Sequence, residues 1–381
     1  MKIAIVCDDL TQFGGAERVM LAVSDMWPDA PVYTCLASDK WASIFREKGR
    51  KLKTSFMQKI PFAEKLDRYL FPFFFHAVAY QSFDFSEYDL VFSLSSRFAH
   101  LVITKPGTKH ICYMHSPGRM FWEPFEYFQR ESFWGLSLLK FLSKYFLAVP
   151  LSIMRVLDFT SAQRVDHFIA NSLSSKKRIK KYYKKDAEII YPFPSFDLRS
   201  VKNSGSLEEI EKLTARKDYF FLITRFAPWK KIDVAIDSCE KLKMKLMISG
   251  DGPDFSRLKN LAGEFTTLLG HANDNEKAIL YKNCRALIVT QQEDFGMVAV
   301  EALAFGKPII AFGKGGVLEI VQPRKTGEFF YEQTSASLQS VLEKFDSAKY
   351  NPQDCMESVK KFSRELFKEK VENMVKNALE K

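Results

Sequence analysis

The sequence predicts an α/β protein built from two doubly wound parallel-sheet domains. Short, β-branched apolar runs alternate with longer helical patterns, and this alternation occurs twice along the chain. Runs that are apolar throughout are typical of strands covered on both faces, as in a parallel sheet flanked by helices. The length of 381 residues agrees with two domains, because one domain commonly has roughly 150 residues.

The strand-like runs fall into two series. The first series comprises Ile3–Cys7, Val32–Cys35, Leu90–Leu94, Leu101–Thr104, Ile111–Met114, Phe168–Ala170 and Glu188–Tyr191. The second comprises Tyr219–Thr224, Lys245–Ser249, Thr266–Leu269, Ala286–Thr290, Pro308–Phe312 and Gly327–Phe330. Helical patterns connect most of them, and the first such helix is expected to end near Met26.

A domain boundary is predicted where the first series ends. Pro192-Phe193-Pro194 is followed by a polar stretch through Arg216, which is typical of a linker. We therefore expect an N-terminal domain over residues 1–192 and a C-terminal domain over residues 193–357. Residues 358–381 carry apolar side chains at helical spacing, and the pattern alone allows this last helix to pack on either domain.

Composition excludes several other classes of protein. The chain has 46% hydrophobic and 27% charged residues, which excludes a disordered chain. The apolar run Ile3–Cys7 is too short for a signal peptide, and charges and Pro150 interrupt the apolar stretch Phe133–Phe159, so no membrane span is expected. Six cysteines without a CxxC pair indicate neither a zinc site nor a redox pair and suit a reducing cytoplasm.

Loops after strands of the first domain could hold a ligand, since ligands of open parallel sheets bind beyond the carboxyl ends of the strands. Gly14 and Gly15 precede a helix, where backbone amides can approach a phosphate, although a plain strand–helix turn is an alternative. His115 could accept a proton or bind a sugar hydroxyl, or be an ordinary hydrogen-bonded residue. Arg119 could contact an anion. The loop that contains Gly14 and Gly15 lacks the GxGxxG pattern, so no nicotinamide dinucleotide fingerprint is present there.

In the second domain, cations and a tight turn follow the predicted strands. Arg225 and Lys230 follow the run Tyr219–Thr224 and are interleaved with apolar and aromatic residues, unlike a solvated helix face. They could clamp a diphosphate and stabilise it as it leaves. The turn Gly250–Pro253 could line a pocket for a nucleotide base, or be only a turn.

Two glutamates follow the buried run Ala286–Thr290. Glu293 lies in the loop and Glu301 in the predicted helix, so two carboxylates could bracket one ligand. Such a spacing is common by chance, and the position after a buried strand is the stronger argument. At the helix start, free amides could bind sugar hydroxyls; they belong to Phe295, Gly296 and Met297. A further glycine loop, 313–316, precedes another helix and would suit a phosphate or a sugar.

Taken together, these segments resemble the retaining glycosyltransferases of family 4. The run Glu293–Pro308 is similar to the family's motif of two glutamates separated by seven residues, and Cys112–Met120 is most similar to the mannosyltransferase branch of O-antigen assembly. Other segments occur in the family's order: Gly14–Glu17, the His115 loop, Asn171-Ser172, Tyr191-Pro192, Arg225–Lys230, Gly250–Pro253 and Gly315–Glu319.

The resemblance implies a GT-B fold, with two Rossmann-like domains facing each other across a cleft and the last helix crossing back to the first domain. The donor nucleotide would lie mainly on the second domain. By motif match, Arg225 and Lys230 would contact the diphosphate and Glu301 the ribose, with Gly250 in the same donor-binding set. Glu293 would hold the donor sugar together with the three amides of the helix start.

The resemblance also assigns roles in the first domain. His115 would lie near the reacting carbon and bind the sugar, while Gly14 and Gly15 would cover the phosphate. Arg119 and Glu17 are further candidates on the acceptor side.

The activity implied is retaining transfer of a hexose, expected to be mannose from GDP-mannose, to a glycan or polyprenyl-diphosphate-linked acceptor in lipopolysaccharide or other cell-surface polysaccharide synthesis. The branch often reads Pro-Tyr-Lys-Arg where this chain has Pro228-Trp229-Lys230-Lys231, so a UDP-sugar donor is an alternative. An epimerase or a phosphorylase of the same fold is another. No Asp-x-Asp triplet stands in a strand-end loop, and we predict neither a catalytic metal nor another cofactor.

The net charge of +10 and the 35 phenylalanines suggest a membrane surface. The lysine-rich run 176–185 reads as one amphipathic helix without a nucleic-acid-binding motif, so nucleic acid is not expected. Phe56–Phe75 and Phe133–Phe159 interleave aromatic residues with cations, which suits the headgroups of an anionic membrane, although a core position is an alternative. We expect a cytoplasmic protein, peripheral on the inner membrane.

Overall fold

The computed structural model describes residues 1–64, 66, 73–124, 148–194, 208–215 and 217–380. The chain divides into two compact units. The first comprises Met1–Tyr191 together with Glu365–Lys381, and the second comprises Pro192–Arg364. Three parts of predicted segments lie outside the described residues: 65 and 67–72 of Phe56–Phe75, 133–147 of Phe133–Phe159, and most of the linker through Arg216.

The first unit contains a parallel sheet of seven strands in the order β3-β2-β1-β4-β5-β6-β7. The strands are β1 Ile3–Cys7, β2 Val32–Thr34, β3 Leu52–Thr54, β4 Leu90–Ser95, β5 Lys109–Met114, β6 His167–Ala170 and β7 Glu188–Ile189. Strand β1 lies between β2 and β4, and all five of its residues are buried. The order reverses direction between β1 and β4, which makes that edge the topological switch point of this sheet.

Helices connect the strands of this sheet. Those described are Gly15–Met26, Asp39–Glu47, Phe75–Gln81, Arg119–Trp122, Ala148–Gln163 and Leu173–Tyr183, with 3-10 helices at Phe56–Lys59 and Ala99–Leu101. The lysine-rich helix begins because the Ser172 hydroxyl accepts a hydrogen bond from the Ser175 amide at 3.0 Å. Ser175, Ile179 and Tyr183, four residues apart, are its buried face, so the lysines lie elsewhere on it.

The helix Arg364–Leu379 belongs to the first unit from Glu365 onwards. Phe367, Val371, Val375 and Ala378 form its buried face. The Phe367 ring lies 5.7 Å from that of Tyr113 in an edge-to-face arrangement, a geometry that aromatic pairs favour.

The second unit contains a parallel sheet of six strands in the order β10-β9-β8-β11-β12-β13. The strands are β8 Phe220–Ile223, β9 Leu246–Ser249, β10 Thr266–Gly270, β11 Ala286–Val289, β12 Ile309–Phe312 and β13 Gly327–Phe330. Its switch point lies between β8 and β11. The described helices are Glu208–Thr214, Ile232–Lys241, Phe255–Leu261, Asp274–Asn283, Met297–Ala304, Val317–Ile320, Ser335–Leu342 and Pro352–Ser358, with 3-10 helices at Pro228–Lys230, Ser347–Lys349 and Lys360–Phe362.

The prediction of two doubly wound parallel sheets is confirmed, with two differences among the strands. Leu101–Thr104 is not a strand: Leu101 is the last residue of a 3-10 helix, Leu101 and Val102 are buried without pairing in the sheet, and Ile103 is exposed. Strand β3, Leu52–Thr54, was not predicted, because it is an edge strand with exposed residues and therefore lacks an apolar signal. The other predicted strands agree within two residues at either end.

The phenylalanines of the described residues divide between core and surface. Phe45, Phe92 and Phe98 are among the largest fully buried side chains, whereas Phe62 and Phe73 are 73% and 62% exposed. All six cysteines are buried and unpaired. None of the described helices combines the length and apolar character that a membrane crossing requires.

Candidate active site

The loops that follow β8 and β9 pack closely against each other. Gly250 has φ +148, and a Cβ there would lie 1.9 Å from the Thr224 carbonyl oxygen. The Phe226 amide donates to the Asp251 carbonyl at 2.8 Å. Glycine is therefore required at position 250 by backbone approach, whatever ligand the turn lines. Arg225 lies in the first of these loops and is exposed.

Two predicted site residues are in direct contact at the switch point of the second sheet. The Lys230 Nζ lies 3.0 Å from the Glu293 Oε1 and 4.2 Å from the centroid of the Trp229 ring. Lys230 follows β8 and Glu293 follows β11, which are neighbouring strands. Their side chains are 11% and 22% exposed, so each charge is largely removed from water and is compensated by the other.

Gln291, which the sequence reasoning missed, also holds Glu293. Its Nε2 donates to the Glu293 Oε1, and the residue is only 2% exposed. The sequence offered no pattern that points to it, because β11 ends at Val289 and Gln291 lies in the loop beyond it, where strand alternation no longer applies. The Thr290 hydroxyl donates to the Lys230 carbonyl at 2.7 Å, so the segment after β11 fixes both members of the ion pair.

The glycine loop after β12 packs against the backbone of Glu293. The Gly316 amide donates to the Glu293 carbonyl at 2.9 Å. Gly315 has φ +83, and a Cβ there would lie 2.1 Å from that same oxygen. The structure thus gives these glycines a packing reason, whereas the sequence suggested a phosphate or sugar loop.

Glu301 is buried in the helix Met297–Ala304. It is 4% exposed, and its Oε2 accepts a hydrogen bond from the Tyr281 hydroxyl at 2.8 Å. Burial raises the pKa of Tyr281, and the charge of Glu301 adds to that rise, so the phenol is a proton donor to the carboxylate. The helix begins after Gly296, whose φ of +109 favours glycine. Phe295 and Gly296 precede this helix start and Met297 is its first residue, and the binding of a sugar by their amides stays a prediction.

In the first unit, His115 and Arg119 lie at the carboxyl end of β5. The His115 amide donates to the Ser95 carbonyl at 2.8 Å, and the Ser175 hydroxyl donates to the His115 carbonyl at 2.7 Å. The His115 ring lies 5.2 Å from the ring of Tyr113. Arg119 begins the helix Arg119–Trp122. The backbone of the His115 loop is thus fixed on two sides, and the roles of both residues stay predictions.

Glu17 interacts with the glycine pair at the start of its own helix. Its Oε2 accepts from the Gly14 amide at 2.8 Å, as in a capping box, and Gly15 is the first residue of the helix. Burial raises the pKa of Glu17. This gives Glu17 a structural explanation beside its predicted role on the acceptor side.

Asp8, which was not predicted either, bridges the switch point of the first sheet. It follows β1, and its carboxylate accepts from the amides of the residues after β4: Ser96, Arg97, Phe98 and Ala99, at 2.5 to 2.9 Å. The Ser96 hydroxyl adds a further bond at 2.8 Å.

Within the described part of the chain, no three His, Cys, Asp or Glu side chains gather as a metal site would require, and the expectation of a metal-free reaction stays a prediction.

Comparison with known proteins finds similarity over part of the chain. Residues 206–377 match the family described as glycosyl transferases group 1. Over 157 residues the chain is 29% identical to the N-acetyl-alpha-D-glucosaminyl L-malate synthase of Bacillus anthracis (38% of this chain, 40% of that protein). Over another 157-residue alignment it is 24% identical to the O-antigen chain mannosyltransferase C of Escherichia coli (39% and 42%). The chain therefore spans about two fifths of the length of these relatives.

The fold extends over the whole chain. The Anabaena protein Alr3699/HepE, solved in complex with UDP, matches 99% of this chain and 100% of its own at a TM-score of 0.68 and 17% identity. At that identity the likeness shows the fold, and it confirms the predicted fold class of two parallel-sheet α/β domains of the GT-B type.

Proposed function

We propose that this chain, whose residues 206–377 match the glycosyl transferases group 1, is a member of that family and a retaining hexosyltransferase that uses a nucleotide-sugar donor. The observation that carries the proposal is the Lys230–Glu293 pair at the switch point between β8 and β11. Open α/β sheets bind ligands at that place. A cation there suits a departing diphosphate, and a carboxylate there suits a sugar that develops positive charge.

The proposed reaction breaks the bond between the anomeric carbon and the diphosphate oxygen. A bond from the acceptor hydroxyl forms on the same face of the sugar, and the hydroxyl proton passes to the departing phosphate. Lys230 and Arg225 stabilise the negative charge of that phosphate without a metal ion. Glu293 stabilises and positions the sugar without forming a covalent intermediate, and Glu301 binds the ribose.

For the donor we propose GDP-mannose. The support is the resemblance of Cys112–Met120 to the mannosyltransferase branch, together with the relative named as an O-antigen chain mannosyltransferase. A UDP-sugar is the second candidate, since Alr3699/HepE was solved with UDP-glucose. The acceptor would be a glycan or a polyprenyl-diphosphate-linked glycan of cell-surface polysaccharide synthesis.

We further propose that the protein binds the anionic cytoplasmic face of the inner membrane, where a lipid-linked acceptor is presented. The helix Leu173–Tyr183 and the residue after it expose the lysines 177, 180, 181 and 184. On the helix Ala148–Gln163, Val149, Ile153 and Val156 lie on one face and are 65%, 44% and 62% exposed. Cations attract anionic headgroups, and exposed apolar side chains can enter the interface.

The test compares three donors: GDP-mannose, UDP-glucose and UDP-N-acetylglucosamine. The true donor should raise the melting temperature, because it binds only the folded state, and should release nucleotide in the presence of acceptor. Epimerisation or release of sugar phosphate would instead identify the alternative enzymes of this fold.

With that donor, Glu293→Ala and Lys230→Ala should each lower turnover by about 100- to 1000-fold, the typical effect of removing one charge-stabilising group. Lys282→Ala, which removes an exposed lysine from another helix, serves as the control. Activity close to that of the unchanged protein in both site variants would refute the site assignment.

A further inference from the structure

We infer that Gln291 is a positioning residue that holds the Glu293 carboxylate in place when Lys230 turns from that carboxylate to the donor diphosphate. The inference rests on the proposed function, because it concerns the same donor site. It adds a residue that neither the family motif nor the comparisons assign.

One carboxylate oxygen of Glu293 accepts hydrogen bonds from two side chains that differ in mobility. The Glu293 Oε1 accepts from the Lys230 Nζ at 3.0 Å and from the Gln291 Nε2. Lys230 reaches it through a flexible four-carbon stem, whereas Gln291 is buried at 2% exposure. The second carboxylate oxygen, Oε2, is the one to which a sugar hydroxyl can donate.

The buried side chain of Gln291 lowers the stability of the fold, because one of its polar atoms has no partner. Its Oε1 is buried and has no hydrogen-bond partner among the described residues. An unsatisfied buried acceptor is destabilising and uncommon in native proteins. An apolar side chain of the same shape would avoid that cost, so the bond from Nε2 to Glu293 is the feature that explains an amide here.

The surrounding backbone is fixed, which leaves the lysine side chain as the part that can move. The Lys230 carbonyl is held by the Thr290 hydroxyl at 2.7 Å, and the Thr290 carbonyl is held by the Gln333 Nε2 at 2.9 Å. The Glu293 carbonyl is held by the Gly316 amide at 2.9 Å.

A diphosphate competes with Glu293 for Lys230, since it carries more negative charge than one carboxylate. Once Lys230 turns to the diphosphate, the carboxylate loses its ionic partner. The amide of Gln291 carries no charge and cannot be drawn to the phosphate, so it keeps Glu293 at the sugar during the reaction. Gln291 should therefore matter for turnover and little for nucleotide binding.

The experiment uses the full chain with Gln291→Met, which keeps the shape of the side chain and removes its donor. GDP-mannose and UDP-glucose are assayed in parallel by nucleotide release, and GDP and UDP affinities are measured by calorimetry. The kcat should fall about 10- to 100-fold, the loss of one hydrogen bond to a charged group, while nucleotide affinity changes less than about threefold. Gln353→Met, at an exposed position, is the matched control.

Gln291→Glu is the second variant, because it places a like charge against Glu293 and should lower kcat further. The inference is overturned if Gln291→Met keeps kcat within about twofold, or if nucleotide affinity falls as much as kcat. A lower melting temperature with unchanged kcat would also overturn it, since it indicates a structural role alone. If Glu293→Ala and Lys230→Ala are inactive while Gln291→Met is active, only this inference fails; if all three are active, the proposed function fails.

Discussion

Replacing Asp8 by Asn should open the loop that follows β4. The Asp8 Oδ2 accepts from the Ser96 amide, the Ser96 hydroxyl and the Arg97 amide, and the Oδ1 accepts from the amides of Phe98 and Ala99. Asn keeps one oxygen and places an NH2 group where the other carboxylate oxygen was. Either orientation of the amide therefore leaves at least two donors facing another donor.

The magnitude follows from the number and kind of bonds lost. A hydrogen bond to a charged group contributes about 1.5–3 kcal/mol, and two to three bonds are removed. Asp8 is partly exposed, so water replaces part of the loss. We expect about 2–4 kcal/mol, which corresponds to roughly 30- to 800-fold faster opening of the loop.

The assay is hydrogen exchange of the amides of residues 96–99, followed by mass spectrometry at neutral pH. Asp84→Asn is the matched control, because Asp84 also accepts an amide bond, from Ser86, but is exposed. Exchange at residues 96–99 that is less than about threefold faster in Asp8→Asn would refute the reasoning, since it would mean that the carboxylate does not fix this loop.

The same prediction has a pH dependence of known sign. Burial would raise the pKa of Asp8, but the Arg97 guanidinium and the amides of Phe98, Ser96 and Ala99 outweigh it, so the pKa lies below its ordinary value. A lowered pKa contributes stability above the unfolded value of about 3.9, and this stability is lost as the pH falls through the folded value. The difference between the parent protein and Asp8→Asn should therefore be full at pH 7 and shrink below about pH 4.

Two further predictions concern the donor helix and the membrane surface. Tyr281→Phe removes the bond to Glu301 at 2.8 Å and should raise the donor KM about fivefold, equivalent to about 1 kcal/mol, with kcat unchanged; an unchanged KM would contradict the predicted ribose contact. Phe62→Asp removes a 73% exposed ring and should weaken flotation with vesicles containing phosphatidylglycerol at low salt. The control is Tyr331→Asp, a 70% exposed ring in the other unit, and equal flotation of both variants would exclude a role for Phe62.

The sequence predicted where the site residues lie along the strands, but not which of them touch. The apolar runs before Lys230 and Glu293 placed both at carboxyl ends of strands. Their contact depends on β8 and β11 being neighbours, although two strands, β9 and β10, separate them in sequence. Local patterns do not determine strand order, so only the family resemblance assigned the two residues to one donor site, and their contact with each other was not predicted.

The sequence did not identify the residues that hold other parts of the protein in place through hydrogen bonds. Gln291, Tyr281 and Asp8 each hold a loop or a carboxylate, and a single polar residue beside a strand gives no pattern that distinguishes this from ordinary burial. The glycines at 315 and 316 have a structural role that the sequence did not indicate, and their suggested role in ligand binding stays a prediction. A glycine loop before a helix suggests an anion site, but here the close approach of the Glu293 carbonyl already requires Gly315.

In both sheets a carboxylate connects the loops at the switch point, but its hydrogen-bond donors differ. At each switch point the strand order reverses and the neighbouring loops separate, and a carboxylate bridges the gap in both. In the first sheet, Asp8 accepts five bonds from one loop, four of them from backbone amides that cannot turn away. In the second, Glu293 accepts from two side chains, and in our proposal Lys230 leaves it for the donor. Backbone amides keep the loop around Asp8 in one conformation. A lysine side chain, by contrast, can exchange its carboxylate partner for a diphosphate. We therefore assign donor binding to the second sheet.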